Sequence, residues 1–348
     1  MLRSSAVRTV TTPDGRSLGS LLRRYEGAGE PLSCEPVAEG LLNRGYRLAT
    51  TRGRFFLKHH LDGDRTAIAR QHRATLRLDA LGLPVAPPLA AADGRTVAVV
   101  DDRCYALHPW VEGRHRDGAA LSRVQSRRLG ALLGRVHTSL DHVIADDPAC
   151  GPTRPYEPAV ADPRRTFEVI DELLALARGS RPRTSFDELA EHRLLERRAL
   201  LERQAHRRPD AAAHPATGWV HGDFHPLNLL YRGAEPAAIV DWDRLGVHPR
   251  AEEAVRAAAI FFVQPSGTLD LPKVRAYASA YRRVSGACGA ELAAAVHRVW
   301  WERLNDFWML TWRYRLGDRR ADPQFPAAAA LAVWWTREYR AVRDAFTC

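Results

Sequence analysis

Apolar and polar positions follow two different rhythms along this chain. Residues 44–50 alternate, with Tyr46 and Leu48 on one face, and residues 54–60 follow after the turn Thr51-Arg52-Gly53, which predicts a β-hairpin. Residues 66–81 read as a helix closed by Gly82 and followed by Pro84, Pro87 and Pro88. A second hairpin is predicted from 95–100 and 104–107, joined through Asp101-Asp102-Arg103. Strands, one helix, then strands make 37–107 a small α+β unit. From 121 the rhythm becomes helical, with Leu129, Leu132, Leu133, Val136 and Leu140 on one stripe. Residues 141–165 are proline-rich and read as a loop, and Ser185-x-x-Glu188 reads as a capping box opening a helix to about 204. The stretch 290–346 is helical and holds six of the nine tryptophans, which is a core pattern.

At 348 residues the chain predicts about two domains with a core that needs no disulfide. With 45% hydrophobic and 26% charged residues, wholesale disorder is excluded. No run of eighteen apolar residues exists, so no membrane partner is expected, and the first residues lack a signal-like apolar run. Five scattered cysteines without metal-ligand spacing suggest a reducing, cytoplasmic setting. The net charge of +10 favours an anionic partner. Only Lys58 and Lys273 among the 51 basic residues are lysines, so arginine is the default cation. No nucleic-acid-binding motif accompanies the charge, and a nucleic-acid partner is not expected. Within the arginine-rich region 177–208, Arg193 and Arg197 share one helix face. That face is a candidate contact for an anionic substrate, with an ordinary solvated helix face as the alternative.

The chemistry is concentrated in residues 218–243. Two short apolar runs, 229–231 and 238–240, follow polar loops. Phosphoryl transfer to a hydroxyl needs a carboxylate near the attacking oxygen and oxygen ligands for Mg²⁺. Asp223 and Asn228 are five residues apart, within reach of one tight loop, and Asp241 ends the second run eighteen residues after Asp223. His221, Asp223 and His225 also carry metal-ligating atoms, as in a hydrolase, but His137, His214 and His248 show no paired spacing.

The motif HGDFHPLN (221–228) followed by IVDWD (239–243) resembles the signature of the aminoglycoside phosphotransferase and choline kinase superfamily. The resemblance implies a bilobal, protein-kinase-like α+β fold. A small nucleotide-binding lobe would span 1–107, a hinge 108–113, and a mostly helical lobe 114–348. It further implies Asp223 as the catalytic residue, Asn228 and Asp241 as magnesium ligands, and Lys58 as the contact to the ATP phosphates. The loop 40–46, with Asn43, is similar to the one whose backbone N–H groups cover the phosphates. His108 to Trp110 resembles the hinge that reads adenine. The implied reaction moves the γ-phosphoryl group of ATP to a hydroxyl of a small molecule, an antibiotic or a metabolite. Alternatives are a kinase of Ser/Thr in a precursor peptide, as in lanthipeptide-like pathways, and a pseudokinase scaffold. One departure stands out: the family's helix glutamate, partner of the lysine, is missing from 67–78, where Gln71 or Arg73 takes its place. Asp62, Asp64 and Asp79 are the nearest acids in sequence. Neither the acceptor nor the oligomeric state follows from a fold.

Overall fold

The computed structural model describes residues 13–37, 43–61, 64–145, 156–157, 159–210 and 215–348. These residues divide into two compact units. The first gathers the chain up to Arg114, the end of one helix from Val143, and Leu230–Asp243; the second holds His115–His142, the chain on to Leu229, and Arg244–Cys348.

In the first unit, helix α1 (Gly15–Leu22) precedes strands β1 (Pro31–Val37), β2 (Arg44–Thr50) and β3 (Gly53–His60). Helix α2 (Arg65–Ala80) and strands β4 (Ala98–Val100) and β5 (Arg103–Pro109) follow. The five strands form one sheet in the order β1-β2-β3-β5-β4, and each neighbouring pair is antiparallel. The two expected hairpins are present, and Tyr46 and Leu48 do share the buried face, against Leu18, Leu21, Leu57 and Leu107. The β4–β5 turn places Asp101 and Asp102 both at positive φ (50° and 57°), as a type I′ hairpin requires. Asp64 starts α2 by accepting the N–H groups of Thr66 and Ala67. The unit also includes β8 (Glu235–Ile239) and most of its partner strand β7 (Leu229–Arg232). Helix α1 and nearly all of strand β1 precede the residues read as α+β from sequence. His108 and Pro109 continue strand β5 beyond the expected end of the hairpin, pairing with Phe56 and Phe55.

The second unit is mostly helical. It contains most of α3 (Arg123–Ala145), then α4 (Pro163–Gly179), α5 (Ser185–Gln204), α6 (Arg250–Phe261), α7 (Leu271–Ser285) and α8 (Gly289–Asn305). Helices α9 (Trp308–Thr311), α10 (Phe325–Arg337) and α11 (Tyr339–Thr347) complete it, with β6 (Thr217–Val220) paired antiparallel to β9 (Gly246–Pro249). The expected aromatic core is there: Trp300, Trp301 and Trp335 are fully buried.

Two expectations need correction. The cap of α5 sits one residue earlier than read, on Thr184, whose N–H and hydroxyl donate to Asp187 Oδ2 (2.8 and 2.6 Å). Asp187 is buried and takes the Tyr314 hydroxyl as well, so it outcompetes Glu188 for the role. Nor is the arginine face of α5 a solvated one throughout. Arg197 is buried, donating to the carbonyls of Arg303 and Ala329, while Arg193 pairs with Glu196 at 2.6 Å.

Candidate active site

Asp223 is set by the second unit. Strand β6 delivers the chain to His221 and Gly222, whose N–H groups both donate to the buried carboxylate of Glu253 on α6. Glu253 also receives His137 Nε2 (2.7 Å), and the other ring nitrogen of His137 meets the Tyr281 hydroxyl at 3.0 Å. Burial raises the proton affinity of Glu253, but His137, His221 and the Gly222 N–H outweigh it and hold the carboxyl below its ordinary value. Gly222 has φ +85°, and a Cβ there would overlap the Arg244 backbone, so only glycine makes this bend. The Asp223 N–H donates back to His221 Nδ1 at 3.2 Å. Asn228 Nδ2 donates to the Asp223 carbonyl at 2.8 Å, closing the five-residue loop expected from sequence.

The Asp223 carboxylate is about one-third exposed. His225 Nε2 lies 3.5 Å from it and Arg244 Nε 3.9 Å. Burial pushes its pKa up, but His225 and Arg244 outweigh that and bring it below the usual aspartate value. At neutral pH it is a carboxylate with open oxygens, able to accept a hydrogen bond from an incoming hydroxyl.

The lysine belongs to the first unit. Lys58 Nζ, on β3, contacts Asp241 Oδ1 at 3.0 Å and Asp243 Oδ1 at 2.6 Å. Burial disfavours its charge, but the two aspartates overcome this and raise its pKa. Asp241 follows β8 and has φ +59°, a rare conformation for aspartate that marks a constrained position. The other oxygen of Asp243 receives Asn43 Nδ2, and Gln71 Nε2 donates to its carbonyl at 3.1 Å. Asn43 is fixed in turn by accepting the Leu61 N–H at 2.9 Å. Gln71 thus stands where the helix acid was missing, and the charge it lacks is supplied by Asp243. Asp64 caps α2 instead, Asp79 is exposed, and Asp62 lies outside the described residues.

The remaining expected residues fall as follows. Gly40, Leu41 and Leu42 lie outside the described residues. The His108 ring is half-buried and meets the Ala86 carbonyl at 2.9 Å. The Trp110 N–H donates to Arg54 O at 3.3 Å. Glu253 escaped the sequence reading because two acids after Pro249 fit a helix N-terminus well. Its buried role depends on His137, more than a hundred residues away. Among the described residues, no group of three or more His, Cys, Asp or Glu side chains is arranged to hold a metal.

An antiparallel sheet carrying a lysine, and a helical unit carrying an Asp–Asn loop, define an α+β fold of the protein-kinase-like class. The phosphotransferase enzyme family model matches residues 33–287, and the chain belongs to that family, within the aminoglycoside phosphotransferase and choline kinase superfamily. It is accordingly a kinase, a phosphotransferase with an alcohol group as acceptor. It is 23% identical over 305 residues to a homoserine kinase of Methylobacillus flagellatus, covering 86% of this chain and 87% of that one. Its fold is similar to an amicoumacin kinase solved with AMP-PNP and Ca²⁺ (TM-score 0.59, 19% identity, 94% and 92% covered). It is also similar to a spectinomycin phosphotransferase solved with ADP (TM-score 0.61, 12% identity, 97% and 98% covered).

Proposed function

We propose that this protein transfers the γ-phosphoryl group of ATP to a hydroxyl of a small molecule in a magnesium-dependent reaction. The observation that carries this reading is the ionised, half-open Asp223 carboxylate, held from behind by backbone hydrogen bonds to a buried Glu–His pair. Its low basicity suits a residue that orients the hydroxyl and takes the proton late, as a loose phosphoryl-transfer transition state requires. Lys58 would hold the nucleotide phosphates, with Asp243 fixing the ammonium. The donor set fits magnesium, which prefers oxygen ligands. Asp241 offers a carboxylate, and Asn228 offers its amide oxygen because its Nδ2 is engaged by Asp223 O and by His225. Magnesium held through such oxygens would neutralise charge on the phosphates. The homoserine kinase and the two antibiotic-modifying enzymes that this chain resembles support a small acceptor. The buried state of Arg197 withdraws the main argument for a peptide leader, and the two aspartates on Lys58 withdraw the main argument for a pseudokinase.

The test is ATP consumption with a panel of amino alcohols, hydroxy acids and hydroxylated antibiotics, with and without magnesium. Magnesium-dependent ADP release that needs a hydroxyl acceptor is expected. Nucleotide binding without turnover on any acceptor would overturn the reading in favour of a pseudokinase.

A further inference from the structure

A cavity of about 40 Å³ lies in the second unit between α5, the turn after α8, and α10. Three guanidinium groups line it, Arg193, Arg197 and Arg303, beside the aromatic rings of Phe307 and Trp308. Arg197 is only 5% exposed, and its terminal nitrogens are taken by two backbone carbonyls. The Nε atoms of all three arginines are buried without a hydrogen-bond partner. Arg193 has Glu196 as its counter-charge. Among the described residues no carboxylate lies within 4.0 Å of Arg197 or Arg303. Glu302 already makes a two-point contact with Arg256 (3.0 and 2.7 Å), and the other nearby acid, Asp306, itself lines the cavity and supports the charge of Arg197 and Arg303 from beyond ion-pair distance. Burial pushes the Arg197 guanidinium down to about 10.

Glu196 and Asp306 together leave the three guanidinium groups one positive charge in excess, which is unfavourable where they are buried, and an anion entering the cavity would offset it. A single water needs roughly 10–15 Å³ of such space, so the cavity has room for a group of a few heavy atoms. A planar carboxylate suits in-plane guanidinium N–H donors. The adjacent rings suit an apolar body attached to it. We propose that this cavity binds the carboxylate of a small organic acid whose apolar body rests against Phe307 and Trp308. Such an acid has two sources, the hydroxyl acceptor of the kinase reaction or an effector that is not phosphorylated.

The experiment titrates the full chain with benzoate and with its neutral counterpart benzamide, by calorimetry or saturation-transfer NMR. Benzoate is expected to bind at least tenfold more tightly, and Arg303→Gln to remove at least that advantage while nucleotide binding is unchanged. Equal binding of the two probes, or binding of inorganic phosphate without benzoate, overturns the assignment. The wild-type comparison decides it even if Arg303→Gln fails to fold. Adding ATP with 4-(hydroxymethyl)benzoate separates the sources. Phosphorylation makes the bound acid the acceptor, binding without phosphorylation makes it an effector, and both uphold the site. Failure of the kinase reading would appear separately, as no turnover on any acceptor.

Discussion

The two units secure their key side chains by different means. In the second, Asp223 is positioned through backbone N–H groups of its own loop, anchored on Glu253. In the first, Lys58 is positioned by side-chain carboxylates, themselves held by Asn43 and Gln71. Backbone anchoring tolerates change at the functional side chain itself, because removing the carboxylate leaves the loop intact. Side-chain anchoring couples position to charge. The lysine site should therefore be sensitive to neighbouring substitutions and to pH, and the aspartate site to substitution at one atom pair.

The sharpest break of this comparison is Asp223→Asn. The loop should keep its shape and the protein its nucleotide affinity, while turnover falls by ~10²–10⁴-fold, the usual effect of losing a positioned base. Steady-state kinetics and nucleotide titration together check it. Turnover within a few-fold of the wild type would mean that Asp223 is only a turn residue.

Acid should distinguish the units next. Burial lowers His59 and His108 to about 4, His60 to about 3 and His72 to about 2, all in the first unit. A histidine with a depressed folded pKa contributes stability that is complete above its unfolded value and lost as pH falls below it. The loss thus begins near pH 6.5 and reaches at most about 2 kcal/mol per histidine at pH 5. In the second unit, His248 and His297 are also lowered, but His248 is exposed and His297 half-exposed, and the anchor Glu253 loses its support only below the carboxylate range. Hydrogen exchange at pH 7 and pH 5, corrected for intrinsic rates, should show protection lost first in peptides from 44–109, with 290–346 retaining it. Uniform loss across both would contradict the distinction.

Asp243→Asn sharpens the lysine half. Lys58 would keep Asp241 alone and be drawn toward the proposed metal ligand. Removing one charge-assisted hydrogen bond costs about 1.5–3 kcal/mol, so ATP affinity should fall by roughly 10–100-fold. Gln71→Glu, which restores an acid on α2, should recover part of that loss in the double variant. Calorimetry reads both, and an unchanged affinity for Asp243→Asn would make Asp243 a bystander.

The contrast also explains what was readable from the chain. The Asp223–Asn228 loop and the strand carrying Lys58 are local, built from residues within a few positions of each other, and spacing revealed them. The hairpins and the aromatic core were legible for the same reason. Asp243, Gln71 and Glu253 act across 185, 172 and 116 positions, on Lys58, Asp243 and His137. No local pattern encodes such pairs: Asp243 looked like the end of a motif, and Glu253 like a helix-start acid. The α5 arginines failed differently. Helical spacing correctly put Arg193 and Arg197 on one face, but it carries no information about what α8 and α10 place against that face.

That failure yields the smallest effect. Arg198 is the immediate neighbour of Arg197 on α5, yet its guanidinium is partly exposed and meets the surface acids Asp171 and Glu202. Exposed ion pairs of this kind contribute about 0–1 kcal/mol, since solvent screening and side-chain entropy offset most of the attraction. Arg198→Gln should therefore leave the unfolding midpoint in urea nearly unchanged and diminish further in effect as salt is raised. Arg197→Gln would strand the Arg303 and Ala329 carbonyls, and unmatched buried acceptors cost about 1–3 kcal/mol each. The measurement is the pair of denaturation curves. A smaller shift for Arg197→Gln than for Arg198→Gln would mean that the buried guanidinium is not anchored by those carbonyls, and that α5 presents its arginines to solvent after all.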